Sequence, residues 1–241
     1  MILSLPMERV STSCYHSKIV PLSHPMFDEF YKKMMVKTLN PEWKCPLKRE
    51  SLSYLWVSHW DAKGQSAVGE IIVATDVADN INKVFGKIFT EKYPIERMHP
   101  QDYYEGIDAK SMAANNTSGF RCSKEDQGGE HPNGHAVDIN PLINPFIKPN
   151  EKKFEPVRGY EDPVPASLAD AQKRYLIEPV EGWNFAFRAN RNQLRANKGQ
   201  NVEQMLFEDS APTKAFESIG WFWGGKWNCC DDYQHFSIND M

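Results

Sequence analysis

The sequence has no apolar stretch approaching the roughly 20 consecutive residues that a membrane-spanning helix needs, so it predicts no membrane span. It has no CxxC pair either. Its five cysteines are Cys14, Cys45, Cys122, Cys229 and Cys230, a spacing that argues against a zinc site built from cysteines. The odd count leaves at least one thiol over. There is room for one disulfide among Cys14, Cys45 and Cys122, and the adjacent Cys229 and Cys230 read as two independent thiols. Neither charge is in large excess: a net −4 gives no reason to expect nucleic acid or an anionic membrane surface as a partner. Internal repeats and low-complexity tracts are absent. The apolar part of the first residues, 1–7, contains Pro6 and follows no basic residue, and it is too short for the apolar region of a secretory leader. Either the protein is not exported by that route or its leader lies outside this sequence.

What is present fits a globular chain. A length of 241 residues suits one domain with appendages and can bury a sizeable core without staples. Residues 25–39 predict an amphipathic helix with Phe27, Phe30, Tyr31 and Met34 on one side. Short strands are expected at 53–57 and, richer in β-branched residues, at 67–74. Val77, Ile81, Val84, Phe85 and Ile88 recur at helical spacing, with Thr75 or Asp76 available as the cap and Pro94 just beyond the end. Residues 99–135 are polar and rich in Gly, Asn, Asp and Ser, which predicts a long loop, and loops of that length are usually functional or disordered. A short strand follows at 135–139. Five prolines make 145–165 irregular, 166–177 reads as a helix, and the polar 190–204 reads as a surface insertion. Ser210 and Pro212 open a short helix that ends at Gly220. Residues 221–227 form an aromatic strand-turn segment, and 235–238 a closing strand.

Two segments carry the donors of a metal site: HPNGHAVD, from His131 to Asp138, and DYQHF, from Asp232 to Phe236. Zinc takes imidazole nitrogen and carboxylate oxygen, and catalytic zinc keeps three protein ligands. His131 and Asp138 flank Gly134, which lets a turn bring both side chains to one point. In a strand through 138, Ala136 and Asp138 share a face and His135 points away, so His135 is not expected to join Asp138. A helical His131/His135 pair conflicts with Pro132-Asn133-Gly134. The third ligand must come from elsewhere, and His235 is the best candidate. Asp232, three residues earlier, is placed to act as a base on water, and it must sit in a turn before the strand to do so.

Together the segments resemble the paired signatures of the zinc D-alanyl-D-alanine carboxypeptidases of the VanY type. Their first motif, SxHxxGxAxD, is matched by His131, Gly134, Ala136 and Asp138, with Gly129 at the Ser position. Their second, an acidic residue two residues before a His, is matched by Asp232 and His235. Residues 115–120, 138–141 and 220–225 look like that family too, as do Gly69-Glu70 followed by the helix at Val77, and Pro94-Ile95. The resemblance covers roughly 40–160 and 205–238. It implies an α+β fold of the hedgehog/DD-peptidase kind, a small antiparallel sheet flanked by helices. It also implies one Zn2+ held by His131, Asp138 and His235, with Asp232 as base. Relatives commonly carry an Arg shortly after the loop Phe, for a substrate carboxylate or carbonyl. Here Arg121 is nearer to Phe120 than the pattern has it, with Lys124 as the fallback. Trp221, Trp223 and Trp227 flank the site as cleft or core residues.

The implied domains are an N-terminal helical extension at 1–40 and a zinc peptidase domain at 41–241 with an insertion at about 160–205. The implied substrates are peptidoglycan stem peptides, with a D-Ala-D-Ala carboxypeptidase expected, acting as a monomer in the cell envelope or outside the cytoplasm. Two alternatives remain open: an endopeptidase of the same fold that cuts L-Ala-D-Glu or a cross-bridge, and a non-catalytic zinc module. Asp232 argues against the second, because binding needs no base.

Overall fold

A computed structural model describes residues 14–39, 43, 45–122, 129–150, 165–187 and 199–240. The central element is a hairpin of β2 (Leu52–Trp60) and β3 (Ser66–Ala74), with β1 (Ser17–Pro21) paired antiparallel on the outer side of β2. Both strands of the hairpin outrun the sequence expectation. Asp61 closes the turn by accepting hydrogen bonds from the backbone N–H of Lys63 and of Gln65, each at 2.8 Å. β2 is buried on both faces because each is covered. Leu55, Val57, Ile71 and Val73 enter the core shared with helix α2 (Ala78–Thr90). Tyr54, Trp56 and Ile72 alternate to the other side, where they meet Phe27 and Met34 near helix α1 (Asp28–Lys37). Ser58 and His59 are buried as well, which is why an apolar-run criterion stops the strand too early. A disulfide joins Cys45 to Cys122 at the edge of the α1-side cluster.

Helix α2 begins without the expected cap. Val77 occupies the N-cap position and makes no side-chain cap bond. The two candidates are engaged elsewhere: the Thr75 hydroxyl lies 3.0 Å from that of Ser53, and the Asp76 carboxylate meets His135. Residues 99–135 are not one loop. They hold helix α3 (Asp108–Ala113) and the short strand β5 (Asn116–Thr117), which pairs parallel with β4 (Arg97–Met98) just before them. The polar composition is satisfied internally. The Asn116 side chain, fully buried, bonds the N–H and the C=O of His99 and the hydroxyl of Ser111. Such pairing makes burial of an amide tolerable.

The second half repeats this lesson. Helix α4 (Leu168–Arg174) ends short of 177, and β8 (Tyr175–Glu178) follows, its residues alternately buried and exposed. β8 pairs with β7 (Phe146–Pro149), inside the stretch expected to be irregular. A short helix, α5 (Trp183–Ala186), comes next. Residues 188–198 lie outside the described ones, but 199–204 are not a surface segment throughout. Gln204 is buried, its backbone carbonyl accepting from Tyr93 and Asn144 and its side chain from Asn115.

Helix α6 (Ala211–Glu217) leads into a sheet ordered β6 (Ala136–Asp138), β11 (His235–Ser237) and β9 (Phe222–Trp223). β10 (Asp231–Asp232) pairs instead with β7. Apart from β4 and β5 the paired strands are antiparallel. Segregated helices and small antiparallel sheets place the chain in the α+β class. Among the described residues no helix is long and apolar enough to cross a membrane.

Phe236 anchors β11. It is fully buried and stacks on Phe216 at 4.3 Å between centroids, while its neighbours in the strand face the opposite side. Phe236→Ala should lower unfolding free energy by about 3–5 kcal/mol, read from denaturant melts. An unchanged midpoint would show that β11 is not held by this core.

Candidate metal centre

Three of the expected residues meet at one point. Asp138 and His235 are register partners across β6 and β11. The Ile139 N–H donates to the Gln234 carbonyl at 2.9 Å and the Ile238 N–H to the His135 carbonyl at 3.3 Å. This phase leaves Asp138 and His235 as a non-hydrogen-bonded pair, the kind whose side chains stand closest, with Cβ atoms about 4.5–5.5 Å apart. His131 comes from a turn over residues 131–134, closed by the Gly134 N–H to the His131 carbonyl at 2.9 Å. Gly134 takes a φ of +66°, and a Cβ there would sit 2.5 Å from the backbone nitrogen of Ala74. The His131 Nδ1 lies 2.8 Å from the Gly119 carbonyl. Donating a proton there turns an unprotonated Nε2 toward the centre, the arrangement that orients metal-binding histidines.

Both carboxylate oxygens of Asp138 take part in the cluster, one toward each histidine. His131 Nε2 to His235 Nδ1 is 3.2 Å, His131 Nε2 to Asp138 Oδ2 is 3.1 Å, and His235 Nδ1 to Asp138 Oδ1 is 3.1 Å. Ligands about 2.05 Å from a tetrahedral zinc are separated by about 3.3 Å. With one donor atom from each residue, all within 4.8 Å of one another, the three fit a metal of this kind in donor chemistry, and all three are buried.

His135 points away from this centre, as the strand alternation requires. Its Nε2 lies 3.0 and 3.1 Å from the two carboxylate oxygens of Asp76. It thereby ties the His131 turn to the segment before α2. Asp76 carries no sequence signal for this contact. Trp227 stacks obliquely on His235 at 5.1 Å. Trp221 and Trp223 belong to the core, and the Trp223 indole N–H braces the Tyr233 carbonyl at 2.9 Å, in the turn before His235.

Asp232 is the last residue of β10 rather than part of the turn, which follows at 233–234. It keeps some surface open, yet its Oδ1 is buried with no hydrogen-bond partner. Gly224 lies against both Asp232 and His235, where a Cβ would come within 2.9 Å of the Asp232 Cβ. Arg121 reaches the cluster: its Nη1 is 2.5 Å from Asp138 Oδ2 and 3.6 Å from Asp108 on α3. Lys124 lies outside the described residues.

The two carboxylates are driven in opposite directions. Burial raises both, but around Asp138 the charges of His131 and Arg121 and hydrogen bonds from both histidines outweigh it, holding its carboxyl well below the usual range. Asp232 lacks comparable compensation. Burial, with the negative charge of Asp138 added, pushes it up to about 7 against the opposing pull of His235 and Arg121. Burial lowers His235, while the hydrogen bond and charge of Asp138 and the charge of Asp232 raise it further. A field that favours a proton there equally favours a metal cation. Separated carboxylates of this kind mark one anion that stays ionised and one group that exchanges protons near neutrality.

A profile of the family described as D-alanyl-D-alanine carboxypeptidase matches residues 123–238. That segment, just under half of the chain, is similar to the carboxypeptidases of the VanY-like type. The match supports a hydrolase, since that family's members are metallopeptidases that act on peptidoglycan. The matched segment contains His131, Asp138, Asp232 and His235, and begins two residues after Arg121. No curated protein and no solved structure matches the chain. The groove between α2 and α6, about 630 Å³ and lined by Lys83, Lys87 and Lys214 among others, shares no residue with the cluster.

Gly134→Ala should cost about 1–3 kcal/mol in backbone strain, before the contact with Ala74, and should displace His131. Stability and metal affinity of this variant should fall together. A variant as stable as the parent would show that the turn tolerates a side chain.

Proposed function

We propose that the chain is a zinc D-Ala-D-Ala carboxypeptidase that trims peptidoglycan stem peptides. The observation that carries the reading is the buried cluster in which His131 Nε2 lies 3.2 Å from His235 Nδ1 and each histidine lies 3.1 Å from one of the two Asp138 carboxylate oxygens. Two imidazoles and one carboxylate are a catalytic zinc set, which leaves a position open for chemistry. When bound, zinc supplies Lewis acidity to the scissile carbonyl and to water, whose pKa it brings to about 7.

The chain's own residues do the rest. Asp232 takes the proton from the attacking water and passes it to the leaving amine, which a group poised near neutrality does well. Its unpartnered Oδ1 supports this role, since a merely structural carboxylate would be expected to carry hydrogen bonds. Arg121 sets a fixed positive charge at the rim, suited to a peptide carboxylate. Its pairing with Asp108 and Asp138 holds it there. Trp227 covers one side of His235 and limits water. We read the arrangement as the hedgehog/DD-peptidase fold. We assign the peptidase domain to 41–241 and an extension to 1–40, and we expect a monomer that works outside the cytoplasm.

The test is digestion of purified stem peptides ending in D-Ala-D-Ala, with products identified by mass. Release of the terminal D-Ala is expected, whereas cleavage within the stem or at a cross-bridge would make the chain an endopeptidase instead. His131→Ala and His235→Ala should lose zinc on metal analysis, and full occupancy in both would sink the ligand assignment. Arg121→Ala should keep zinc and turn over stem peptides more slowly.

Asp232→Asn should retain zinc and lose roughly 10²–10⁴-fold in turnover. The base works ionised, so parent turnover should rise with pH through the pKa of Asp232. That value is about 7 with the dication left out, and a bound dication lowers it. A profile without this acid limb, or near-normal activity in Asp232→Asn, would remove Asp232 from the reaction.

A further inference from the structure

Cys229 and Cys230 occupy the connection between Trp227, which stacks on His235, and Asp232. Their sulfur atoms are 2.6 Å apart. That is closer than two independent thiols need to stand and only about half an ångström beyond a disulfide bond. Cys229 is exposed and Cys230 is buried. A reagent in solution therefore reaches one sulfur, and the second waits behind it. On the other side of the site, Cys122 follows Arg121 directly and is bonded to Cys45. Each candidate residue outside the ligand cluster thus lies within two positions of a cysteine pair.

We propose that Cys229 and Cys230 are a modification site, closed into a vicinal disulfide by a disulfide-bearing oxidant, and that the closed ring holds the connection presenting Asp232. The Cys229 thiolate attacks the oxidant's disulfide, forming a mixed disulfide and releasing one thiolate of the oxidant. The Cys230 sulfur then attacks Sγ of Cys229, releasing the second thiolate. Two cysteine thiols are oxidised, one external disulfide is reduced, and the two protons end on the two released thiols. Adjacent α-carbons are about 3.8 Å apart, short of the roughly 4.4–6.8 Å that disulfides usually span. The ring is consequently strained and reopens more readily than Cys45–Cys122, whose α-carbons lie 5.9 Å apart. Strained and exposed disulfides are the labile ones. Closing the ring tightens the segment between Gly224 and β10, adding to the pairing with Phe146 on β7 that already holds Asp232, while the ligands on β6, on β11 and in the 131–134 turn stay where they are.

The effect on turnover rests on the proposed function, whereas formation of the ring does not. The experiment uses the full-length, zinc-loaded protein poised with mixtures of oxidised and reduced glutathione, then alkylated and digested with trypsin. Cleavage after Lys226 leaves a C-terminal peptide, 227–241, that contains these two cysteines and no others. In the oxidised mixtures this peptide should be lighter by two hydrogens and take no alkyl group. In reducing mixtures that leave Cys45–Cys122 intact, it should take two. Tryptophan emission should shift across the same mixtures in the parent and not in Cys229→Ser or Cys230→Ser. On stem peptides kcat should fall on the order of tenfold on reduction, within the roughly 10²-fold that a 1 Å misplacement can cost, with KM and zinc content unchanged. Two alkyl groups under oxidising conditions would overturn the site. A ring that forms without changing emission or kcat would overturn its hold on Asp232. If the ring forms and emission shifts but no stem peptide is cleaved in any mixture, the proposed function fails and the site stands.

Discussion

The register between β6 and β11 is the constraint on which the site depends. Because Asp138 faces His235 across a non-hydrogen-bonded position, two donors converge through backbone pairing alone. A slip of one residue would turn Asp138 into the core and bring Val137 to the centre. What prevents the slip lies on the other face of the same strands, where Val137 and Phe236 are fully buried. Packing on one side of a three-stranded sheet therefore determines metal geometry on the other. His131 is added by a different device, a glycine-dependent turn held to the hairpin through the Ala74 N–H and the Gly134 carbonyl at 3.0 Å.

This arrangement explains which parts could be read in advance. The ligands are legible because each lies in a short segment whose local geometry is dictated by Pro132, Gly134 or strand alternation. The long polar stretch from 99 to 135 is misread because Asn115, Asn116 and Gln204 behave as core residues. Their amides are satisfied by one another and by backbone, and composition alone treats such residues as solvent-facing. The helix cap fails for a related reason. Asp76 has a tertiary partner in His135, and that contact competes with a local cap bond. β8 is missed because its period of two follows a helix without a break, so the two patterns blur. The contact of Arg121 with Asp138 and Asp108 joins separate parts of the chain, and no local pattern encodes such a contact.

Arg121 also bears on whether the site must be built by its metal. A buried carboxylate with no counter-charge would be costly, and a site of that kind tends to fold only as the metal binds. Asp138 does not face that difficulty, because Arg121 lies beside it at 2.5 Å and His131 and His235 offer it nitrogen donors. Its strand is paired on both edges, with β11 on one side and with Ser118 on the other. The cluster is thus organised by hydrogen bonds, core packing and an internal ion pair before any cation is considered. Asp232 stands apart from this balance, uncompensated at Oδ1 and raised toward neutrality. Burying a carboxylate in this way costs stability, and the proton exchange proposed for Asp232 would be a physical reason to accept that cost.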